Sequence, residues 1–508
     1  MKTNVLNRLV PEGYRPYQGA ETYRNMTHQV IPEVKTTNIN KVIHDIGKLF
    51  DRLDIQDGMT LSFHHHLRDG DAVMNMVLAE IKQRNLQNLT LAPSAIFPVH
   101  APLVELIESG QVSNLYTNYV NGPVADAVTA GKLKGLLVMD THGGRPRAIE
   151  SGELKIDIAF IAVPACDPHG NGNGMEGPNA CGVLGYPIAD MKHARIKVAV
   201  TDHLIDVIKD GEIDGDYIDH VLVVDKIGDA RHIVSGTTRP THDPVQLKIA
   251  GNTIRLIEAL GMIKQGMSFQ TGAGGTSMAV AQLLKNRMTA LGVKGSFASG
   301  GITGFLVDML ENGLFERLHD VQCFDLKAVE SYRVNPHHLF MDASSYANPH
   351  HPDPIVNRLD LVILGATEVD LDFNVNVTTD SHDNIIGGSG GHADTAYGAR
   401  LAIITTNLVK TRLPIIKDKV TTITTPGETI DAIVTERGIA IHPRRTDLID
   451  MLKDTSLPVM TIEALRDKAL AMTGKPDPIK HHDDVVGIVR YRDGTVIDCL
   501  YRKEDVTP

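Results

Sequence analysis

Hydrophobic and polar positions alternate along the chain with two different periods. From Asn38 to Leu53 apolar side chains recur every three or four residues, which predicts an amphipathic helix. Short apolar stretches at 58–63 and 89–92 predict strands, with a helix predicted between them at 72–84. A strand, a loop, a helix and a second strand are typical of a parallel βαβ unit, so we expect an α/β protein with open parallel sheets.

The same order of elements returns in the second half of the chain. A strand predicted at 266–271 enters a glycine-rich loop, a helix at 278–288 and a strand at 295–298. Two later landmarks also repeat: apolar strands at 154–163 and 359–366 are each followed by a polar loop, a glycine-rich stretch and an Ala-Arg pair that opens another strand. We therefore predict two tandem copies of one domain. They span 40–235 and 250–508, after an irregular N-terminal arm (1–40) and joined by a linker near Thr237 to Pro244.

Candidate ligand-binding residues follow the predicted strands. In open parallel sheets, ligands bind beyond the carboxyl ends of the strands. The residues at these positions are His64, His65 and Arg68 in the first domain and Gly272, Gly274 and Gly275 in the second. Two paired domains of this kind predict one active cleft between them.

The segment from Asn384 to Arg400 carries the densest glycine pattern. Gly387, Gly388, Gly390 and Gly391 bracket Ser389 and precede small residues that can begin a helix. Free backbone N–H groups in such a loop can bind a phosphate or stabilise an oxyanion. A tight turn between a strand and a helix is the alternative interpretation.

Composition narrows the class of protein. The 508 residues include 50 Lys and Arg against 62 Asp and Glu, a net charge of −12 that argues against a nucleic-acid partner. No run of about 18 apolar residues predicts a membrane span. The N-terminus lacks the apolar segment of a secretory signal, and the four cysteines have no metal-ligand spacing. We expect a cytoplasmic protein with reduced thiols and no metal site.

Eight phrases, spread over both halves of the chain, carry a family resemblance: Phe269–Gly275, Gly387–Asp394, Val434–Ala440, Thr60–His65, His142–Arg145, Ile302–Gly304, Asp372–Val377 and Gly487–Gly494. They resemble the CoA-transferase superfamily and, nearly end to end, the alpha subunits of citrate lyases. The resemblance implies two CoA-transferase-like domains and a citrate:acetyl-acyl-carrier-protein transferase that exchanges acetate for citrate on a thioester. The thiol would belong to a CoA-like phosphopantetheine group on the acyl carrier (gamma) subunit, and a beta subunit would cleave the citryl thioester. This implies a large hetero-oligomer and no cofactor bound tightly by this chain.

One departure from the superfamily concerns the mechanism. Covalent CoA transferases carry a nucleophilic glutamate on the segment that here reads Ala298–Gly304, which has none. The resemblance therefore implies direct attack of citrate on the acetyl thioester through a mixed anhydride. Glu368 follows a predicted strand and is a possible carboxylate at the site, although we favour a structural role as a hydrogen-bond acceptor.

Citrate carries three carboxylates and needs clustered donors, preferably arginine. His64, His65, Arg68, His142 and Arg145 are the candidate substrate-binding residues. Helix capping, core packing or ion pairing are alternatives for them. Gly388, Gly390 and Gly391 are the candidate oxyanion residues, while Gly272, Gly274 and Gly275 could contact the pantetheine arm or nucleotide phosphates.

Two other functions stay open at this point. A non-catalytic scaffold of a lyase complex would explain the missing glutamate, but it gives no reason for an intact glycine loop and cationic strand ends. A citramalate or other acyl-CoA transferase would have the same sequence features, because citrate and citramalate are both polycarboxylates. The sequence does not distinguish between these two substrates.

Overall fold

Two large sheets organise the chain. The computed structural model describes residues 2–21, 39–234, 241–272, 274–479 and 481–504. One sheet has ten strands and the other has eight. The prediction of an α/β fold with open parallel sheets is confirmed.

The ten-stranded sheet contains the strands of the first half of the chain and a hairpin from the C-terminus. In spatial order its strands are Val496–Lys503, His481–Arg490, Leu137–Met139, Val112–Thr117, Leu89–Pro93, Thr60–Phe63, Ile158–Ala162, Ile196–Thr201, His220–Val223 and Val42–Ile43. Every neighbouring pair is parallel except the hairpin itself.

The eight-stranded sheet belongs to the second half. Its strands, in spatial order, are His338–Phe340, Phe315–Cys323, Gly295–Ile302, Ser268–Thr271, Leu361–Gly365, Leu401–Thr405, Ala432–Val434 and Ile439–Ile441. Only the last pair is antiparallel. The central strands of both sheets are buried apolar runs, as expected of parallel sheets that are covered on both faces.

Helices cover the sheets. They are Ile46–Leu53, Val73–Gln83, Leu103–Ser109, Pro123–Thr129, Gly144–Glu150, Ile188–His193, Pro244–Ala259, Gly275–Leu291, Gly304–Glu311, Leu326–Val334, Ala343–Ala347, His392–Gly398, Thr446–Leu452 and Ile462–Thr473. Short 3₁₀ turns lie at Arg68–Gly70, Pro98–His100, Gly215–Tyr217, Ala230–Ile233, Ile355–Arg358 and Gly427–Thr429. Within the described ranges, no helix is both long and apolar enough to cross a bilayer.

Four smaller sheets complete the secondary structure. Their strands are Lys2–Thr3 with Leu9–Val10, Ala165–Cys166 with Gly172–Asn173, Val409–Lys410 with Leu413–Pro414, and the trio Glu368–Asp370, Val375–Asn376 and Ile416–Lys417.

The first predicted helix is shorter than its apolar pattern. Asp45 caps it by accepting a hydrogen bond from the N–H of Lys48, so the helix begins at Ile46 and not near Asn38. Val42 and Ile43, which belong to the apolar pattern, instead pair with the strand His220–Val223. Their side chains fit a helical pattern, but their backbone groups form hydrogen bonds with that strand, which a longer helix would prevent.

A turn of the same kind follows a short strand in each half of the chain. In the first domain the carboxylate of Asp167 accepts hydrogen bonds from the backbone N–H and the side-chain amide of Asn171. In the second domain Asp370 makes the same two bonds with Asn374. The same Asp-x-x-x-Asn spacing closes the same kind of turn at matched positions of the two domains.

The C-terminal hairpin crosses from one domain to the other. Gly487 to Val489 pair with Leu137 to Met139, so residues 481–503 complete the first sheet. The second domain, predicted as 250–508, therefore does not include its last two strands. The N-terminal arm follows the same hairpin: Tyr17 packs edge-on against Tyr491 and donates a hydrogen bond to Glu428. Residues 22–38 of the arm and 235–240 of the predicted linker lie outside the described residues.

Candidate active site

Three rings from the first domain gather at the junction of the two domains. His65 follows the strand Thr60–Phe63, and its ring lies 5.9 Å from that of His142 and 4.5 Å from that of Tyr186, between centroids. The rings of His142 and Tyr186 are 4.8 Å apart. The side-chain amide of Gln322, from the second domain, donates to the His65 carbonyl at 3.0 Å. The junction therefore contains residues of both domains.

Arg68 lies beside this cluster between two phenyl rings. Its guanidinium carbon is 5.4 Å from the ring centre of Phe97 and 4.7 Å from that of Phe324. No carboxylate of the described residues forms an ion pair with it. Burial lowers the pKa of Arg68, and its backbone has φ of 53°, an uncommon value for a side chain other than glycine. A guanidinium held by aromatic faces, with its donors uncommitted, can receive an anion.

The histidines of the cluster are neutral near pH 7. Burial lowers the pKa of His142 to about 3, and the positive charge of Arg68 adds to this effect. The pKa of His65 lies well below its usual range because of burial, with His142 and Arg68 contributing. Its Nδ1 is 2.5 Å from the hydroxyl of Ser94, which fixes the ring. The cluster thus contains one permanent cation and two neutral imidazoles that can donate one hydrogen bond each.

Two of the predicted binding residues point into the first domain instead. Arg145 donates to Asp190 at 2.8 Å and to the hydroxyl of Ser62 at 3.0 Å, and both charges are buried. His64 lies next to this pair, parallel to His66 at 6.4 Å between ring centroids. Both ring nitrogens of His64 are buried, and neither has a hydrogen-bond partner among the described residues. Arg145 is therefore committed to an internal ion pair, whereas His65, Arg68 and His142 come together.

The glycine loop closes against the first domain. Gly390 forms a bridge with Thr141, and its carbonyl accepts from the N–H of His142 at 2.8 Å. Gly390 has φ of +51°, and a side chain there would begin 3.3 Å from Nε2 of His142. A side chain at Gly388 would begin 2.3 Å from the carbonyl oxygen of Asn118, and one at Gly391 would begin 2.5 Å from the hydroxyl oxygen of Tyr346. Each of the three glycines is thus required by a contact or by its φ.

The backbone donors of this loop differ from one another. The N–H of Gly390 donates to the carbonyl of Asn118 at 3.3 Å. Those of Gly388 and Gly391 make no hydrogen bond with any described residue, and both residues are half-exposed. If the loop stabilises an oxyanion, Gly388 and Gly391 supply the free donors and Gly390 supplies the turn.

The second glycine loop, which contains Gly272, Gly274 and Gly275, follows the carboxyl end of a strand in the second sheet. Gln270, in the strand Ser268–Thr271, donates to the Tyr346 hydroxyl at 2.7 Å. Gly272 follows, and Gly274 precedes the helix Gly275–Leu291. A side chain at Gly274 would meet no atom within 4 Å. Open space before the first turn of a long helix can admit a phosphate or an amide arm.

Neighbouring side chains pack closely against two glycines of the segment Ala298–Gly304. In the strand Gly295–Ile302, a side chain on Gly301 would begin 2.3 Å from the ring of Phe324. Phe324 is the residue whose ring supports Arg68. A side chain on Gly300 would begin 2.7 Å from the amide of Gln270. A side chain at Gly300 or Gly301 would therefore require Gln270 or Phe324 to move.

The family model of the citrate lyase alpha subunit (CitF) matches residues 39–503. The citrate lyase alpha chain of Klebsiella pneumoniae is 42% identical over 493 residues, which is 97% of this chain and 96% of that protein. That of Escherichia coli (strain K12) is 43% identical over 466 residues, 92% of this chain and 91% of that protein.

The chain belongs to the citrate lyase alpha subunit family.

Solved structures agree with this family. A Streptococcus mutans alpha subunit of citrate lyase, in complex with citrate, superimposes with a TM-score of 0.94 at 40% identity, covering 99% of this chain and 100% of that one. The alpha subunit of a malonate decarboxylase from Acinetobacter baumannii has a TM-score of 0.63 at 17% identity, over 85% of this chain and 88% of that one, which shows a shared fold. The citrate lyase alpha family is one of transferases, so the chain is an enzyme.

Glu368 lies in the small three-stranded sheet and is fully buried. It accepts hydrogen bonds from Asn376, Ser381, Lys417 and Thr421. Lys417 and these donors hold its pKa below the usual range, although burial opposes them. A carboxylate that accepts this many hydrogen bonds is a structural acceptor, the role favoured for Glu368 from the sequence.

Several residues of the site escaped prediction from the sequence. Asn118 follows the strand Val112–Thr117 and donates to the carbonyls of Asp140 and Thr141. The strand-end rule would have found it. Phe97, Tyr186, Phe324 and Tyr346 lie in segments without a local signal. Long-range packing within each domain places Phe97, Tyr186 and Tyr346, and the docking of the two domains places Phe324 against Arg68.

Proposed function

We propose that this chain exchanges acetate for citrate on the thioester of a CoA-like phosphopantetheine group, which an acyl carrier subunit presents. Membership of the citrate lyase alpha family supports the reaction class, and the citrate bound in the Streptococcus mutans relative supports the substrate. The observation that carries the proposal is Arg68, a guanidinium without an acidic partner among the described residues, held between Phe97 and Phe324 beside two neutral histidines.

Citrate would bind through Arg68, with His65 and His142 as additional donors. An arginine can hold one carboxylate through two parallel hydrogen bonds. The bound anion would raise the pKa of the histidines, because a nearby negative charge favours the imidazolium. His64 has two unpartnered ring nitrogens and could serve a further carboxylate or a water that bridges to it.

The exchange would proceed without an enzyme-bound thioester. A carboxylate oxygen of citrate attacks the acetyl carbonyl, the C–S bond breaks, and the thiolate leaves with the electron pair. The thiolate then attacks the citryl carbonyl of the mixed anhydride and acetate leaves. No proton has to move in either step. The segment Ala298–Gly304 supports this route, since it contains no glutamate and Gly300 and Gly301 are closely packed.

Backbone donors would stabilise the two tetrahedral states. The N–H groups of Gly388 and Gly391 make no hydrogen bond within the described part of the chain, and they lie in the loop that closes on His142. The loop of Gly272, Gly274 and Gly275 would contact the pantetheine arm or, for free CoA, its phosphates. The beta and gamma subunits of the lyase are the proposed partners in a hetero-oligomer.

A carboxylate panel tests the proposal. The purified chain is incubated with acetyl-CoA as a surrogate for the carrier, and with citrate, citramalate, malate or acetate in turn. New thioesters are identified by mass spectrometry. Formation of citryl-CoA is expected, whereas preferential use of citramalate would reassign the substrate. No new thioester with any acid would favour a scaffold role.

The covalent step is tested in the same preparation. After incubation with acetyl-CoA alone, borohydride and hydroxylamine are used to trap an acyl-enzyme, and peptides are mapped by mass. We expect unmodified glutamates and kinetics that require both substrates to be bound. A labelled glutamate together with ping-pong kinetics would overturn direct transfer.

A further inference from the structure

A buried carboxylate connects the two loops that form the junction. Asp394 lies in the first turn of the helix His392–Gly398, three residues after Gly391, and is fully buried. Its Oδ1 accepts from the hydroxyl of Thr141 at 3.0 Å, and its Oδ2 accepts from the N–H of Gly143 at 2.9 Å. These two residues flank His142. One carboxylate of the second domain thus holds both sides of the histidine in the first.

The C-terminal hairpin reinforces the connection. Nε of Arg492 is 3.3 Å from Oδ1 of Asp394, and its Nη2 donates to the carbonyl of Ala347 at 3.0 Å. The neighbouring Arg490 pairs with Asp140 at 2.7 Å, directly before Thr141. Burial raises the pKa of Asp394 to about 6, against the opposing effect of Arg492, so the carboxylate is mostly ionised at neutral pH.

The local packing leaves little freedom in this arrangement. A side chain on Gly143 would begin 2.0 Å from the carbonyl oxygen of Ala347. The N–H of Gly144 donates to the Thr141 hydroxyl at 2.8 Å, so this hydroxyl donates to Asp394 and accepts from the backbone at once. The bridge of Thr141 to Gly390 completes a closed set of contacts around His142.

We propose that Asp394 is a positioning residue, which sets the distance between His142 and the glycine loop and so aligns the groups that act on the thioester. Its two oxygens accept hydrogen bonds from two different donors. An ionised carboxylate can do this because it has acceptors on both sides, whereas a protonated carboxyl or an amide places a donor on one side. An asparagine in its place would turn an amide N–H₂ toward either Thr141 or Gly143. The inference rests on the proposed transferase activity.

Four single variants test this role, each assayed for citryl-CoA formation. Asp394→Asn removes one acceptor, and Thr141→Val removes the hydroxyl at constant shape. Thr141→Ser keeps the hydroxyl and is the conservative rescue. Asp431→Asn is the matched control, because Asp431 is also buried in the second domain, pairs with Arg444 and Arg445, and accepts from the N–H of Ala402.

We expect kcat to fall about 10- to 100-fold in Asp394→Asn and Thr141→Val, as for the loss of a charge-assisted hydrogen bond. KM for acetyl-CoA should stay within about threefold of the wild-type value, because the residues of this chain that bind acetyl-CoA are not displaced. Thr141→Ser and Asp431→Asn should keep wild-type kcat per folded molecule, whatever their melting temperatures.

The outcomes separate this inference from the proposed function. If the wild-type chain forms no citryl-CoA, the proposed function fails. If the wild type is active and Thr141→Val matches Thr141→Ser, the positioning role is wrong. It is also wrong if Asp394→Asn and Asp431→Asn lose activity only in proportion to their loss of folded protein, as a purely structural residue would.

Discussion

Arg68 and Arg145 show how one residue type acquires two roles at the scale of the side chain. Both follow strand ends, so the sequence gives them equal weight. In the fold, Arg145 is neutralised by the buried Asp190, whereas Arg68 lies between two aromatic faces and has no acidic partner among the described residues. The difference lies in the partner that the fold supplies, and it leads to two opposite expectations for their removal.

Arg68→Ala should weaken the use of citrate while the fold stays intact. Loss of a charge-assisted hydrogen bond predicts a decrease of about 10- to 100-fold in kcat/KM for citrate. Arg145→Ala should instead destabilise the protein by about 3–5 kcal/mol, because it leaves Asp190 buried and unpaired. Citrate kinetics and urea unfolding measured on both variants check the pair. Equal citrate kinetics in Arg68→Ala and wild type would remove Arg68 from the site.

A histidine that the fold keeps neutral costs stability in acid. The pKa of His142 is about 3 in the folded chain, below its usual value near 6.5. Between these values the unfolded state binds a proton and the folded state does not, so the free energy of unfolding falls as the pH drops below about 6.5. From pH 7.5 to 5.5 the wild type should lose about 1 kcal/mol more than His142→Gln. Urea midpoints at the two pH values measure this, and parallel losses would contradict it.

At the scale of elements, the glycine loop contacts residues that follow two different strands of the first domain. A turn between one strand and one helix would not make both contacts. Gly388, Gly390 and Gly391 contact Asn118, His142 and Tyr346, which come from three different segments. A simple turn between a strand and a helix would need only the positive φ of Gly390. The additional contacts mean that the loop's shape is set by the cleft it closes.

Gly390→Val should abolish transfer beyond its effect on stability. Valine at a φ of +51° is strained, and its first carbon would begin 3.3 Å from Nε2 of His142. Gly313→Val is the matched control, since Gly313 has φ of +72° with no atom within 4 Å of a side chain. Both should lose about 1–2 kcal/mol or more of stability. Activity should fall about 100- to 1,000-fold only in Gly390→Val. Thermal melts and turnover, measured on the same preparations, separate the effect on stability from the effect on activity. Equal activity in the two variants would show that the loop is only a turn.

At the scale of the whole molecule, the two domains are held together by segments far apart in sequence. The hairpin His481–Arg490 and Val496–Lys503 pairs with the first sheet, while its residues Arg490 and Arg492 reach Asp140 and Asp394. The ten-stranded sheet thus combines strands from the first half of the chain with the hairpin of residues 481–503, and the second domain lies between them in sequence.

Truncation after residue 480 should therefore prevent stable folding. It would expose the edge strand Leu137–Met139 and leave Asp140 and Asp394 buried without their arginines. We expect aggregated or protease-sensitive protein, measured by size-exclusion chromatography and limited proteolysis. A chain ending at residue 504 is the control and should behave as wild type. A soluble, cooperatively folded chain ending at residue 480 would show that the hairpin is dispensable.

Local pattern was enough to predict the α/β class and most strands. Apolar runs such as 361–365 are continuous because both faces of a parallel strand are buried, so their signal is strong and local. Strand-end logic also named His65, Arg68 and the glycine loops, because the carboxyl ends of parallel strands share one edge. The N-terminal limit of the first helix was wrong, since residues 42–43 found a partner strand almost 180 residues away.

Tertiary structure alone decided what the named residues do. Whether an arginine is free or paired depends on Asp190, which lies 45 residues from Arg145 in sequence. Tyr186 and Tyr346 are placed by long-range packing within each domain, and Phe324 and Asp394 acquire their roles only when the two domains dock. Arg492 reaches Asp394 through the C-terminal hairpin. The pattern of apolar positions in the sequence predicts which face of each element is buried. The contacts between elements depend on long-range packing, which a local pattern does not predict.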